Sequence, residues 1–208
     1  MITLELENKK YTIPNNFNEL PLHKYQEVCK LDKTDKYYIL DVVGILGDID
    51  MNILKQVAFS DLKGVFENVE YLFKQDEHKL QGVIEVDGDY YGFHNNLSKL
   101  TFGEYIDIEE MTKDVSNNLH IIMAIFYRPI KNITNDIIYN EGEFEIEPYN
   151  EHSVMDRAEK FKKLKMDVIL GALFFFILLR VGSLMNIKDF LQKEMKMEKN
   201  MKKVKEKE

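Results

Sequence analysis

Apolar and polar positions alternate at period two in two short stretches of the chain and recur at helical spacing through most of the rest. Residues 2–6 and 10–13 alternate around Glu7-Asn8-Lys9, which predicts a β-hairpin ended by Pro14. Residues 82–93 repeat the pattern around Asp87-Gly88, a dipeptide suited to the positive φ of a type I′ turn. Between the hairpins the period lengthens. Leu20-Pro21 reads as a helix entrance, with Leu22, Tyr25, Val28 and Cys29 inward. A helix over 35–46 packs through Tyr38, Ile39, Val42 and Val43 until Gly47-Asp48 breaks it. Asp50 caps a short helix, and Ser60 caps one with Leu62, Val65, Phe66, Val69, Leu72 and Phe73 along one face.

Residues 101–130 form the centre of the pattern. Thr101 with Glu104 three residues on is a capping box. Phe102, Tyr105, Ile106 and Met111 then recur at helical spacing and are expected inward, with Asp107, Glu109 and Glu110 outward. After a polar link at 113–118, nearly every residue of 119–127 except His120 is apolar, the mark of a helix buried all round. Arg128-Pro129 should stop it, because proline disfavours helix at the preceding residue and has no N–H to donate.

Residues 131–151 are the least regular. Glu141, Glu143, Glu145 and Glu147 alternate with smaller or apolar residues, as along an exposed edge strand or an ordered loop. A helix over 152–164 is expected to turn Val154, Met155, Ala158 and Phe161 inward. Residues 168–179 then run without one polar side chain. As a helix this run spans only about 18 Å, against roughly 30 Å of bilayer hydrocarbon. Its ten large apolar side chains represent roughly 15–30 kcal/mol of gross burial, so it is expected to be core, an interface, or both. The fold class is therefore mainly α (α+β): a helical domain over 1–185 with hairpins near 2–13 and 82–93, and a long C-terminal helix. Residues 186–208 continue it as an amphipathic segment ending in a lysine-rich tail.

Composition narrows the function classes. The net charge of −8 argues against nucleic acid as a partner, which calls for a basic surface. Eleven acids and three bases fall between Glu104 and Glu151, so that stretch carries a net charge equal to that of the whole chain. It is a solvated rim or a docking surface for a basic partner. One cysteine, Cys29, leaves no intramolecular disulfide and no cysteine-built zinc site; it reads as a small core residue in a chain suited to a reducing cytosol. The opening residues carry acid where a signal peptide has a basic region. The five histidines are scattered, and no HExxH, Glu-x-x-His, GxGxxG or phosphate-loop motif is present. No catalytic, cofactor-binding or metal residue is assigned, and no cofactor is expected. The candidate partner-binding residues are Phe174, Phe175 and Phe176 in the apolar run and Glu141, Glu143 and Glu145 in the acidic stretch.

The order of hairpin, short helices, second hairpin, LTFGEYIDIEEM helix, NLHIIMAIFYRPI and late MDVILGALFFF helix resembles small proteins encoded among the structural and assembly genes of tailed bacteriophages, notably phages of Bacteroidetes hosts such as the crAss-like group. The likeness is strongest at residues 100–108, 119–129 and 167–176 and extends in architecture over 1–185. It implies a non-enzymatic protein of the virion or the host cytoplasm, either a portal- or tail-related structural or packaged subunit or a tail-assembly chaperone. Its partners would be other phage structural proteins, with homo-oligomerisation also open. The competing expectation is a membrane-associated protein inserting residues 168–185. An arginine inside that window costs about 2.5–3.5 kcal/mol on insertion, which argues against it.

Overall fold

The computed structural model describes residues 1–69, 79–94, 96, 99–134, 137 and 143–174. The chain divides into two compact units, Met1–Ala172 and Leu173–Glu208, with the division inside the apolar run. The larger unit is mainly α with β (α+β).

Strands β1 (Ile2–Leu6) and β2 (Lys9–Ile13) pair antiparallel with Leu6 opposite Lys9. Glu7 and Asn8 both take positive φ to close the turn. Helices α1 (Leu22–Cys29), α2 (Tyr38–Gly47), α3 (Met51–Leu54) and α4 (Phe59–Val69) follow. Leu22, Val42, Val43 and Leu54 are fully buried among them. Asp48 ends α2 in the left-handed conformation, and the Asp50 carboxylate accepts from the Asn52 N–H at 2.7 Å to start α3. Two expectations for this half are corrected. Cys29 is exposed; the inward place on α1 belongs instead to Gln26, whose amide donates to the Ser116 and Asn117 carbonyls at 2.8 and 2.7 Å. Ser60 is not a cap but lies inside the first turn of α4. The buried stripe of α4 is Leu62, Val65 and Val69; Leu72 and Phe73 lie outside the described residues.

The second hairpin, β3 (Val83–Val86) and β4 (Asp89–Phe93), turns through Asp87 and Gly88 at positive φ. Helix α5 (Phe102–Met111) leads through a 3₁₀ turn at Thr112–Asp114 into α6 (Val115–Phe126). Helix α6 ends at Phe126, ahead of Arg128-Pro129 as expected, and Tyr127–Lys131 then forms strand β5, which the sequence pattern did not suggest, and pairs with β4. A two-residue strand β6 (Glu145–Ile146) completes the order β3-β4-β5-β6. Proline is tolerated because Pro129 opposes Tyr91 across β4 while His94 N–H donates to the Phe126 carbonyl. Hydrogen-bonded pairs alternate in an antiparallel ladder, so the missing proline N–H faces β6. There Glu147 donates to the Pro129 carbonyl and only the return bond is absent.

The sheet has two covered faces. Side-chain alternation puts Tyr91, Phe93 and Tyr127 on one face and Gly92, His94 and Arg128 on the other. Helix α7 (Glu151–Phe161) covers the first, its Phe161 ring meeting Tyr91 edge-on at 5.0 Å. On this helix Val154, Ala158 and Phe161 are buried but Met155 is exposed. Its inward place is taken by Arg157, whose Nε and Nη2 both donate to the Ala124 carbonyl at 3.1 and 3.0 Å. That carbonyl lies in the last turn of α6, where no intrahelical donor remains to satisfy it. The other face receives α5 and the Phe144 ring, which lies over Gly92 so closely that any Cβ there would displace it.

A last helix, α8 (166–174), begins where Met166 N–H donates to the Leu20 carbonyl. Met166 and Ile169 are fully buried, and a Cβ at Gly171 would fall 2.4 Å from the Lys79 carbonyl oxygen. The apolar run thus enters the core at its start. Among the described residues no helix is long and apolar enough to cross a membrane; residues 175–185 of the candidate span lie outside them.

Candidate docking site on the α5 helix

Helix α5 is rotated by about half a turn from its expected setting. Phe102, Tyr105 and Ile106 are 78 %, 53 % and 47 % exposed, whereas Glu104 is 1 % exposed and Ile108 is buried beneath it. The capping box itself forms. Thr101 N–H and its hydroxyl both donate to Glu104 Oε2 at 2.7 Å, and the Glu104 N–H donates back to the Thr101 hydroxyl at 3.3 Å.

The cause of the rotation is on β5. Arg128 projects from the covered face of the sheet, where burying its charge is costly unless the guanidinium is paired or hydrogen-bonded. Glu104 Oε1 lies 3.1 Å from Arg128 Nη1, and His94 Nε2 lies 3.9 Å from the same oxygen. Burial pushes the Arg128 guanidinium down from its ordinary value, and the Glu104 charge opposes that shift. Burial likewise lowers His94, with the Arg128 charge as the next cause. The result is a neutral imidazole beside a carboxylate–guanidinium pair. Glu104 Oε1, Arg128 Nε and His94 Nε2 are all buried without an aligned hydrogen-bond partner among the described residues. The pair lies buried between α5 and β5 and holds the Glu104 side of the helix inward.

One consequence can be measured. Burial holds both His94 and His120 below their ordinary values. A histidine whose folded pKa is depressed adds stability that is complete above its unfolded value of about 6.5 and is lost as pH falls through the folded value. The urea midpoint is therefore expected to drop between pH 7.5 and pH 5, before the carboxylates titrate. The drop should shrink in a His94→Asn/His120→Asn variant. An unchanged pH slope in that variant would show that neither ring carries the effect.

Beside the outward aromatic face lies an open cleft of ≈ 690 Å³, lined by Gly103 from α5 and by residues 147–153. Tyr149 forms its wall, with its ring against Gly103 and its hydroxyl donating to Asp107. Burial, then that hydrogen bond, raises the Tyr149 phenol well above its ordinary value, so it stays a donor. Asn150 caps α7 at the cleft floor through the His152 N–H at 3.0 Å. Glu147 and Glu151 lie at its edge, and Glu109 and Glu110 follow Ile106 on the outward side of α5.

No family model, curated protein or solved structure matches this chain.

Of the residues singled out from the sequence, Glu143, Glu145 and Phe174 fall among the described residues. Glu143 and Glu145 are exposed on the edge of the sheet, with Glu145 3.7 Å from Lys131. Phe174 is 47 % exposed near the end of the described part of α8. Glu141, Phe175 and Phe176 lie outside the described residues. Among the described residues no three His, Cys, Asp or Glu side chains are grouped to hold a metal. Sequence reading missed the outward face of α5 altogether. The signal was Arg128, an arginine directly after a buried helix, whose charge calls for a polar or acidic partner when it is buried along with that helix.

Proposed function

We propose that this protein works without catalysis, by binding another protein, as a virion-associated subunit related to portal or tail or as a tail-assembly chaperone of a tailed bacteriophage. The observation that supports a binding role is the outward face of α5. Phe102, Tyr105 and Ile106 stand in solvent on a helix whose opposite side is pinned by a buried ion pair. The helix cannot turn those side chains inward without dragging Glu104 out of its pair. A contiguous exposed apolar patch rimmed by polar residues marks an interaction surface. The phage assignment draws on the sequence resemblance, whose segments at residues 100–108 and 119–129 frame this helix.

Mass spectrometry of purified virions tests the assignment and divides its two forms. Stoichiometric presence supports a structural or packaged subunit. Absence from virions despite abundant expression during infection supports a chaperone. A coding locus without neighbouring portal, capsid or tail genes would overturn the phage reading.

A further inference from the structure

We infer that the α5 face takes a basic amphipathic helix of a partner protein, with apolar anchors seated on Phe102, Tyr105 and Ile106 and Lys or Arg flanks over the acidic rim. This deepens the binding role proposed above and rests on it only in requiring that a protein be bound.

Three observations fix the class of occupant. The first is spacing. Residues 102, 105 and 106 are at offsets of zero, three and four, so their side chains form one apolar ridge on a ten-residue helix. Such a ridge matches a second helix that presents its own residues at the same intervals. The second is relief. Gly103 has no side chain, and the open cleft beside it, walled by Tyr149, leaves room for an anchor from the partner. The third is charge. Glu109 and Glu110 lie one turn beyond the ridge, and Glu147 and Glu151 border the cleft. Lys113 offsets the charge of Glu110, but the stretch from Glu104 to Glu151 stays acidic, with eleven acids to three bases.

That rim discriminates among occupants. A second copy using the same face would bring two acidic rims into one interface, because a two-fold contact uses the same patch of both partners. Like charges brought together across an interface oppose association. Nucleic acid and anionic lipid surfaces carry the same sign as the rim and are repelled. A segment carrying Lys or Arg beside Leu- or Phe-type anchors meets both features at once. Its rim charges raise the rate of encounter and its anchors hold the complex.

The test uses the full chain and a displayed library of random 16-residue peptides selected against it, followed by anisotropy titration of the enriched sequences as synthetic peptides. The expected winners are net positive, with large apolar residues recurring at three and four. Their affinity should fall at least tenfold in Phe102→Ser/Tyr105→Ser and several-fold in Glu109→Lys/Glu110→Lys. It should weaken as salt is raised and should not change in Phe59→Ser, which alters an exposed aromatic on α4. Thermal melts of each variant verify that the fold is retained, and a single Glu110→Lys variant, at an exposed position, repeats the charge test apart from the half-buried Glu109. Enrichment of acidic or neutral peptides, no enrichment, or equal binding by the double serine variant would each overturn the inference. So would a dimer of the full chain that the double serine variant dissociates, since the occupant would then be a second copy. Peptide binding of the expected kind by a protein whose locus lacks phage structural genes would overturn the phage assignment alone.

Discussion

Arg128→Met is expected to lower the free energy of unfolding by about 3–5 kcal/mol, the cost of breaking a buried ion pair from one side. The guanidinium is 5 % exposed and its partner Glu104 1 %. Without Arg128 the carboxylate keeps its two Thr101 donors on Oε2, but Oε1 faces a covered sheet with no cation. Glu104→Gln alone should cost a similar amount, because it strands Arg128 instead. The double variant Glu104→Gln/Arg128→Met removes both charges while the glutamine carbonyl can still accept from Thr101. It should recover at least half of the single-variant loss, since replacing a buried pair by neutral groups of similar size is often close to neutral. Urea denaturation of the four proteins measures the coupling. If Arg128→Met lies within about 0.5 kcal/mol of the parent, as surface changes usually do, the pair does not orient α5 and the account of its outward face fails.

Phe161→Ala should be comparably severe, at about 3–5 kcal/mol for a fully buried phenylalanine. Phe161 is 0 % exposed, closes the last turn of α7 and meets the Tyr91 ring edge-on. It therefore ties α7 to the sheet about one turn beyond Arg157, which holds the helix to α6 through the Ala124 carbonyl. Phe161→Leu keeps most of the volume and should cost less, around 1.5 kcal/mol. Met155→Ala, on the exposed side of the same helix, should fall within about 0.5 kcal/mol of the parent. Equal unfolding midpoints for Phe161→Ala and Met155→Ala would mean that α7 does not cover the sheet through Phe161. The contrast matters because periodicity alone places both residues on the same inward stripe.

What the sequence determined by itself was local chemistry. Asp87-Gly88 needed only its own backbone preferences to form a turn, and Thr101 with Glu104 needed only each other to form a capping box. Asp50 likewise needed only the Asn52 N–H, and the run at 119–126 was apolar enough that no setting of that helix could expose it. From such interactions within four residues the class, mainly α with two hairpins, was legible. The tertiary structure alone decided which way the helices face and where the chain after Phe126 goes. Pro129 marked the end of the helix because its ring forbids helix, but only the assembled sheet made the residues around it strand β5, where the missing N–H meets the two-residue β6. Phe102, Tyr105 and Ile106 looked like core because they are apolar. Burying Glu104 against Arg128, 24 residues away, sets the helix the other way, since turning it would strand both buried charges. A pairing of that kind has no periodicity. It depends on which two segments meet, and that is settled only when the sheet is assembled.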